Sequence, residues 1–294
     1  TPSLEDGSYD VSAVDDVVFD IIKYGWNKYL SNKSLVVGCT TNPGDCDFFK
    51  DKLRETGINV YYNPEFIAQG SIVNDLRHAD MVLLGGEGEH SGALEMMYYQ
   101  IQNGFKVANV HTMSTRAAEL TKIAVNCYLT TKITYANQVG QVMIRDGMED
   151  EVKTVLKAIG GDSRIGTKYL NYGFGFGGPC FPRDNRAFAA YASKAGVETP
   201  LGATTDKFND EHTEFLKEYF INKNKDNRAY VFHYLTYKDG VDILTESRPY
   251  DLALSLLDAG YEVYCLDSTA KDKIDSRIKF SDFPRMDQVC YVNL

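Results

Sequence analysis

The sequence of 294 residues predicts an α/β protein in which two Rossmann-like, doubly wound regions flank an all-helical region. In residues 1–112 and again in residues 223–294, short apolar strands alternate with helices, a pattern typical of parallel sheets. Between these regions, residues 114–146 contain no proline and a single glycine, and their apolar side chains recur at helical spacing. This segment indicates one long central helix, of the kind that commonly connects domains or forms a dimer seam.

Each strand of the first region is a short apolar run bounded by Gly, Asn or Pro. The predicted strands cover residues 33–40, 58–62, 79–85 and 106–110. Apolar spacing predicts helices over residues 11–30, 48–55 and 93–102. Because strands and helices alternate, we expect a parallel sheet with its ligand crevice at the carboxyl ends of the strands.

The helical region is expected to continue beyond the long helix, and a second, smaller α/β unit follows it. Helices are predicted over residues 149–159, 184–195 and 201–222, and a polar linker over 222–227. The second unit is predicted to contain strands from Ala229, over 261–266 and from Val289, and a helix over 249–259. We therefore expect three domains, covering residues 1–112, 113–222 and 223–294.

Composition restricts the class of function. A formal net charge of −10 argues against nonspecific binding of nucleic acid, although local cations could still hold a small anionic ligand. No apolar run approaches the roughly 18 residues of a membrane span, so we expect no membrane partner. Six scattered cysteines without a Cys-x-x-Cys pair indicate reduced thiols and a cytoplasmic protein. The five histidines lack metal-ligand spacing, so we expect no metal.

Residues 173–184, Gly-Phe-Gly-Phe-Gly-Gly-Pro-Cys-Phe-Pro-Arg-Asp, carry the strongest chemical signal in the sequence. Four glycines leave the backbone uncovered, and the prolines on either side of Cys180 are expected to prevent a helix around it. A thiolate beside a cation is a strong nucleophile, so Cys180 is a candidate for covalent catalysis; the alternative is an inert buried cysteine in a turn. The spacing from Gly173 to Gly178 matches G-x-G-x-x-G, but no apolar strand precedes it, so we do not expect a dinucleotide fingerprint.

Three separated segments are similar to one enzyme family. They are Asn63-Pro-Glu-Phe-Ile-Ala-Gln-Gly-Ser, Glu119-Leu-Thr-Lys-Ile-Ala-Val-Asn, and the Gly-Phe-Gly-Gly-Pro-Cys-Phe-Pro-Arg-Asp around Cys180. Their order and spacing resemble the nucleotide-sugar dehydrogenases, the UDP-glucose/GDP-mannose dehydrogenase family, over essentially the whole chain. The resemblance implies NAD-dependent oxidation of a sugar CH2OH to a carboxylate, in two hydride transfers, through a cysteine-bound thiohemiacetal and thioester. UDP-glucose is the expected substrate. GDP-mannose, a UDP-N-acetylhexosamine, and a noncatalytic nucleotide-sugar-binding or dimerisation module are the alternatives.

The resemblance also implies catalytic roles for particular residues. Cys180 would be the nucleophile, and Glu65 the general base that activates water for thioester hydrolysis. Lys122 and Asn126 lie four residues apart on one helical face and would together stabilise an oxyanion. The simpler alternatives are a helix-capping acid at Glu65 and a solvated Lys–Asn pair on the helix surface.

Further residues are implied in proton transfer and binding. Asp184 would assist proton transfer through water, or cap the helix that follows it. Thr40 would hold the water and the cofactor, or be a simple strand-end hydroxyl. Arg164 would reach the site of a partner subunit, which implies a homodimer. The implied nucleotide-sugar contacts are Phe66, Ile67, Tyr169, Asn171, Gly173, Gly177, Lys238 and Arg164, and the implied NAD contacts are Thr40, Glu65, Arg183 and Arg248.

The sequence departs from the family pattern in three places. The G-x-G-x-x-G segment of the cofactor domain is absent, and residues 1–112 resemble only the second half of that domain. We therefore expect an incomplete first Rossmann-like domain, weak NAD binding and slow turnover by this polypeptide alone. Gln69 stands where glutamate is common, and Thr245 stands where the family has an arginine that contacts the cofactor.

Overall fold

The computed structural model describes residues 1–29, 33–66, 72–86, 88, 91–102 and 109–294. Contacts divide this part of the chain into two compact units, each built from two stretches of sequence. The first unit contains Thr1–Val125 and Arg186–Glu198, and the second contains Asn126–Asn185 and Thr199–Leu294. The division into three domains stays a prediction.

The described residues form strands and helices in the predicted alternation. The strands are β1 Ser34–Val37, β2 Asn59–Tyr62, β3 Met81–Gly85, β4 Asn109–Met113, β5 Ala229–Phe232, β6 Val263–Cys265 and β7 Val289–Val292. The helices are α1 Ser12–Lys23, α2 Asp45–Leu53, α3 Ile72–Arg77, α4 Ser91–Ile101, α5 Thr115–Arg145, α6 Val152–Gly161, α7 Phe181–Lys194, α8 Pro200–Lys223 and α9 Arg248–Asp258. The α/β class and the long central helix are confirmed.

The four-stranded sheet of the first unit has the order β1-β2-β3-β4. The β1/β2 and β3/β4 pairs are parallel, as predicted, but β2 meets β3 through a single antiparallel pair, Tyr62 with Gly85. Two parallel pairs thus meet at the carboxyl ends of β2 and β3. The side chain of Asn63 bridges this junction, because its Nδ2 donates to the carbonyl of Leu83 at 3.0 Å.

The core of the first unit lies between the sheet and the amphipathic helices α1 and α2. Val18 and Ile21 of α1 are buried against Phe49 and Leu53 of α2, together with apolar side chains of β1 and β2. Helix α1 ends at Lys23 instead of continuing to residue 30, because the backbone turns into the left-handed region at Gly25, with φ 61°. Residue 30 lies outside the described residues, as do residues 106–108 of the predicted fourth strand.

The second unit contains a parallel three-stranded sheet with the order β6-β5-β7. The central strand β5 is buried on both faces, which agrees with its continuous apolar sequence Ala-Tyr-Val-Phe. Leu216 and Phe220 of α8 and Leu252 and Leu256 of α9 pack against it. The predicted second α/β region is therefore confirmed.

A separate helical cluster belongs to the same unit. Ala136 and Met143 of α5 and Leu156 of α6 are buried together with Leu170. The chain that follows Leu170 leads into the Gly-rich segment without forming a strand.

Helix α7 begins at Phe181, directly after Cys180. The prediction that the neighbouring prolines prevent a helix around Cys180 is therefore wrong on its carboxyl side. Pro182 is the second residue of α7, and proline is tolerated in a first helical turn because the amide hydrogen it lacks has no partner there.

None of the helices formed by the described residues has the length and apolar character needed to cross a bilayer.

Candidate functional site

Two predicted site residues follow paired strands in the first unit. The last paired residues of β1 and β2 are Val37 and Tyr62, which lie side by side in the parallel ladder. Thr40 and Glu65 each come three positions later, so both lie at the carboxyl edge of the sheet. Thr40 is half-buried and Glu65 is exposed. This edge is where open α/β sheets bind ligands.

Lys122 of α5 is brought to the same place. Its Nζ donates to the carbonyl oxygen of Glu65 at 2.8 Å and lies 4.4 Å from the centroid of the Phe66 ring. A hydrogen bond and a cation–π contact thus fix the ammonium group beside the Asn63–Phe66 segment. The structure unites Lys122, Glu65 and Phe66, as expected, while Ile67 and Gln69 lie outside the described residues.

Glu119 is a residue of this region that the sequence reasoning missed. Its fully buried carboxyl group accepts hydrogen bonds from Thr41 Oγ1 at 2.9 Å, Gly44 N at 2.6 Å and Cys46 N at 2.9 Å. Burial raises the pKa of Glu119, and the hydrogen bonds partly offset this effect. Glu119 thereby caps the N-terminus of α2 from another helix, one turn before Lys122.

This cap has a consequence for phosphate binding. A helix N-terminus next to a strand end is where an α/β protein can receive a phosphate. Here two amides at the start of α2 already donate to Glu119. The N-terminus of α2 is therefore occupied by the protein itself.

Cys180 lies at the N-cap position of α7 in the second unit. Its thiol is exposed, and its carbonyl oxygen accepts a hydrogen bond from Asp184 N at 2.9 Å, which closes the first helical turn. The partial positive charge of a helix N-terminus stabilises a thiolate. Arg183 follows in the same turn and is half-buried. The alternative of an inert buried cysteine does not agree with this placement.

The side chains of Asn126 and Asp184 form a buried pair beside that turn. Asn126 Nδ2 donates to Asp184 Oδ2, and the two residues are 8% and 1% exposed. Asp184 lies within α7, so the suggestion that it caps this helix is wrong; Cys180 occupies the N-cap. The predicted Asn126, Asp184 and Cys180 thus come together around one helical turn.

A cavity of about 340 Å³ opens in the same unit. Its wall includes four residues predicted to bind the nucleotide sugar: Tyr169, Asn171, Gly173 and Gly177. Aromatic rings complete much of the wall, contributed by Tyr172, Phe174, Tyr234 and Tyr237. Burial raises the pKa of Tyr237, and the charge of a nearby Cys180 thiolate raises it further. The Tyr237 side of the wall therefore lies near the predicted nucleophile.

Of three predicted basic residues, one lines the cavity and two are exposed elsewhere. Arg248 lines the cavity, its Nη1 lies 2.7 Å from Asp210 Oδ1, and its Nε donates to the carbonyl of Phe176 at 3.3 Å. Its predicted NAD contact stays a prediction, although the structure places it among the nucleotide-sugar candidates. Lys238 and Arg164 are exposed and do not belong to the cavity wall formed by the described residues. Arg164 is paired with Asp162, at 2.6 Å.

In the Gly173–Gly178 segment, called the Gly loop below, three glycines approach their neighbours too closely for a side chain: Gly175, Gly177 and Gly178. A Cβ on Gly177 would lie 2.1 Å from the carbonyl oxygen of Glu246, and one on Gly175 would lie 2.3 Å from Asn209 Oδ1. Gly175 also has φ 108°, a conformation that strains other residues. These contacts explain why glycine is needed at positions 175 and 177.

Three side chains that the sequence reasoning missed hold the backbone of the Gly loop. Asn137 of α5 accepts from Gly173 N, and His212 of α8 lies 2.7 Å from the Gly173 carbonyl oxygen. Asn209 of α8 bonds to both the amide and the carbonyl of Phe176. An Asn or a His on an amphipathic helix gives no such signal in the sequence, because its partners lie 33 to 39 residues away.

No group of three or more His, Cys, Asp or Glu side chains able to hold a metal ion occurs among the residues for which the structure gives positions.

Comparison with known proteins identifies the family of this chain. Residues 1–102 match the NAD binding domain of the UDP-glucose/GDP-mannose dehydrogenase family, and residues 116–211 match its central domain. The chain belongs to this family of nucleotide-sugar dehydrogenases. The prediction of NAD as cofactor is confirmed at the level of the family, through the match to its NAD binding domain.

Individual relatives carry a narrower description. A UDP-glucose 6-dehydrogenase of Haloferax volcanii is 30% identical over 96% of this chain and 67% of its own length. One of Rickettsia bellii is 30% identical over 91% of this chain and 61% of its own length. The solved UDP-glucose dehydrogenase of Pyrobaculum islandicum has a TM-score of 0.81 at 28% identity, and the alignment covers 99% of this chain and 70% of that one. The chain thus spans about two thirds of the length of such relatives.

Proposed function

We propose that the protein containing this chain oxidises UDP-glucose to UDP-glucuronate with two molecules of NAD, through covalent intermediates on Cys180. The observation that carries the proposal is the exposed thiol at the N-terminus of α7, one turn from the buried Asn126–Asp184 pair. Membership of the family and its relatives named as UDP-glucose 6-dehydrogenases support the choice of substrate.

The overall reaction converts R–CH2OH, two NAD⁺ and water to R–COO⁻, two NADH and three protons. Loss of a hydride from C6 and of a proton from its hydroxyl oxygen gives an aldehyde. The Cys180 thiolate adds to the aldehyde carbon, and the oxygen takes up a proton to give a thiohemiacetal. Loss of a second hydride and the hydroxyl proton gives a thioester. Water then attacks the thioester, the carbonyl becomes a carboxylate, and the thiol is released. NAD, when bound, accepts both hydrides.

The chain's own residues act on the oxygens and protons of these steps. Lys122 and Asn126, one turn apart on α5, stabilise the negative charge that develops on the C6 oxygen. Glu65 takes a proton from the attacking water, and Thr40 helps to hold that water. Asp184, held by Asn126, assists proton transfer through water.

Some of the described residues could hold NAD, but the usual site for its pyrophosphate is taken. Thr40 and Glu65 each follow a strand of a neighbouring parallel pair by three residues and offer NAD a position at the edge of the sheet. The pyrophosphate has no place at the N-terminus of α2, because Glu119 occupies the amides there. Thr40 and Glu65 would therefore hold the cofactor.

Thiol protection tests the proposal without cofactor. Both Cys180 and Cys39 are exposed, so Cys39 serves as an internal control. With UDP-glucose at about ten times its Kd, we expect iodoacetamide to alkylate Cys180 about tenfold more slowly, and Cys39 at an unchanged rate, as peptide mass spectrometry will show. Protection by GDP-mannose or a UDP-N-acetylhexosamine, but not by UDP-glucose, would exclude the proposed substrate.

Product formation tests the covalent step. In the NAD-dependent enzyme, Cys180→Ser should abolish UDP-glucuronate formation and leave UDP-glucose binding intact, whereas Cys39→Ser should change neither. UDP-glucuronate formed by the Cys180→Ser variant at the wild-type rate would rule out the cysteine mechanism.

We also propose a homodimer, with the second unit as its interface. Tyr128, Tyr135 and Val142 lie at seven-residue intervals on α5 and are 64%, 52% and 62% exposed, which forms an apolar stripe along one helical face. The mass in solution, measured by light scattering, should equal two chains, and Tyr135→Glu should give a monomer. A measured mass equal to that of one wild-type chain would contradict the homodimer.

The chemistry requires a reduced thiol at Cys180. For this reason we propose a reducing, cytoplasmic location, which the absence of disulfides among the described cysteines supports.

A further inference from the structure

The Gly loop is a wall of the cavity that has no hydrogen-bonding strand beside it. Buried backbone groups in such a segment need partners from side chains. In this chain these partners include Asn137 of α5, Asn209 and His212 of α8, and Arg248 of α9, while Gly178 N donates to the Thr245 carbonyl. The conformation of the wall is therefore set by side chains outside it.

Asn209 uses both ends of its amide on one residue of the loop. Phe176 N donates to Asn209 Oδ1 at 2.9 Å, and Asn209 Nδ2 donates to the Phe176 carbonyl at 2.8 Å. Asn209 is 2% exposed, and the backbone of Gly175 lies directly against its Oδ1. Phe176 is therefore held in one position relative to α8.

His212 holds the other end of the loop and is one helical turn from Asn209. A carbonyl oxygen only accepts, so Nε2 carries the proton and donates to Gly173 at 2.7 Å, while Nδ1 accepts from Gln141 Nε2 at 2.7 Å. The imidazole is fully buried, and the rings of Phe208 and Phe215 lie nearly parallel to it, with centroids at 6.1 and 6.2 Å. Both of its nitrogens are thus fixed by hydrogen bonds.

We propose that Asn209 and His212 are positioning residues for the nucleotide sugar: they hold the Gly loop in the conformation that forms the cavity wall, without touching the ligand. Neither residue lines the cavity described for this unit, and each acts through a backbone group that belongs to its wall or adjoins it. The proposal rests on the proposed function for the identity of the ligand.

The chain contains a matched control for this geometry. Asn224 of the same unit is 7% exposed and also bonds through both ends of its amide to one backbone, that of Arg228, at 2.8 and 2.9 Å. Neither residue lines the cavity. Replacing Asn224 with alanine therefore removes the same two bonds without affecting the Gly loop.

The test compares three alanine variants by calorimetry with UDP-glucose. We expect Asn209→Ala and His212→Ala each to raise the Kd at least about tenfold, since net hydrogen-bond energies of this size correspond to such a factor. Asn224→Ala should lower the unfolding temperature by a similar amount and leave the Kd unchanged. An unchanged Kd for Asn209→Ala, or an equal rise for Asn224→Ala, overturns the proposal.

Two further measurements keep the result decisive. If Asn209→Ala fails to fold, Asn209→Asp retains the acceptor for Phe176 N but places a buried carboxylate oxygen against the Phe176 carbonyl, so it should also raise the Kd at least about tenfold, and an unchanged Kd overturns the proposal. Hydrogen exchange of residues 173–178 without ligand should accelerate in the Asn209 variants and stay unchanged in Asn224→Ala. Should the wild type bind no nucleotide sugar, the proposed function fails, and unaltered exchange in the Asn209 variants then separately refutes the positioning role.

Discussion

Two loops, one in each unit, are held in opposite ways. In the first unit, three donors of the Thr41–Cys46 loop converge on the carboxyl group of Glu119. In the second unit, two amides, an imidazole and the guanidinium of Arg248 hold the Gly loop at separate points. One loop therefore depends on a single acid, and the other on several separate side chains.

The difference determines how each loop fails. Removing one buried acceptor that serves three donors leaves all three unsatisfied at once, whereas removing one of several separate partners leaves the rest in place. Protonation also acts differently, because an imidazole that accepts a hydrogen bond at Nδ1 cannot do so when charged. Mutations and changes of pH should therefore affect the two loops differently.

The largest effect is expected for Glu119→Ala. It should destabilise the first unit by about 4 kcal/mol, since each buried donor left without an acceptor costs about 1–3 kcal/mol. The single tryptophan, Trp26, belongs to this unit, so its fluorescence in urea measures the free energy of unfolding.

Glu119→Gln is the matched variant. Its carbonyl oxygen can still accept from Thr41 and Cys46, while its amino group faces the amide of Gly44, so the loss should be smaller than for alanine. Equal losses for the two variants would show that packing, and not the acceptor, explains the stability.

The sequence predicted the residues whose signal is local. Glu65, Lys122 and Asn126 lie in short segments that resemble one family, and Thr40 matches a position after a strand in that family, so the resemblance selected them. The Gly-rich motif likewise indicated a segment of uncovered backbone, and Gly173 and Gly177 line the cavity. Their chemical roles stay predictions.

The residues that sequence reasoning missed are those whose partners lie far along the chain. Glu119 bonds to groups 73 to 78 residues away, and Asn209 to one 33 residues away. Buried polar side chains on amphipathic helices resemble any other polar residue until the tertiary partners are known. The antiparallel junction of β2 and β3 was missed for a similar reason, since it depends on a contact of two distant strand ends.

The second effect concerns pH and the second unit. Burial lowers the pKa of His212 from its ordinary 6.5 to about 4. The unfolded chain therefore binds the proton more tightly, and the stability of this unit should fall as pH decreases through that window, by about 2 kcal/mol from pH ~7 to pH ~4.5. Hydrogen exchange of α8 and β5 peptides, measured at both pH values, reports this loss.

His212→Gln should flatten that dependence, because the titrating group is gone. The control is His233→Gln, an exposed residue after β5, which should retain the wild-type slope. If the stability of the His212→Gln variant still falls as pH decreases, another group causes the acid sensitivity.

The smallest of the three effects compares two glycines of the same loop. Gly177→Ala places a Cβ 2.1 Å from the Glu246 carbonyl oxygen, so the backbone must shift, and we expect a loss of about 2 kcal/mol in the stability of the second unit. A Cβ at Gly173 meets nothing within 4 Å, so Gly173→Ala should lose less than about 0.5 kcal/mol. Urea unfolding followed by hydrogen exchange in the second unit measures both. If the two substitutions are equally tolerated, the Gly loop does not rest on the Glu246 backbone, and its side-chain partners must hold it.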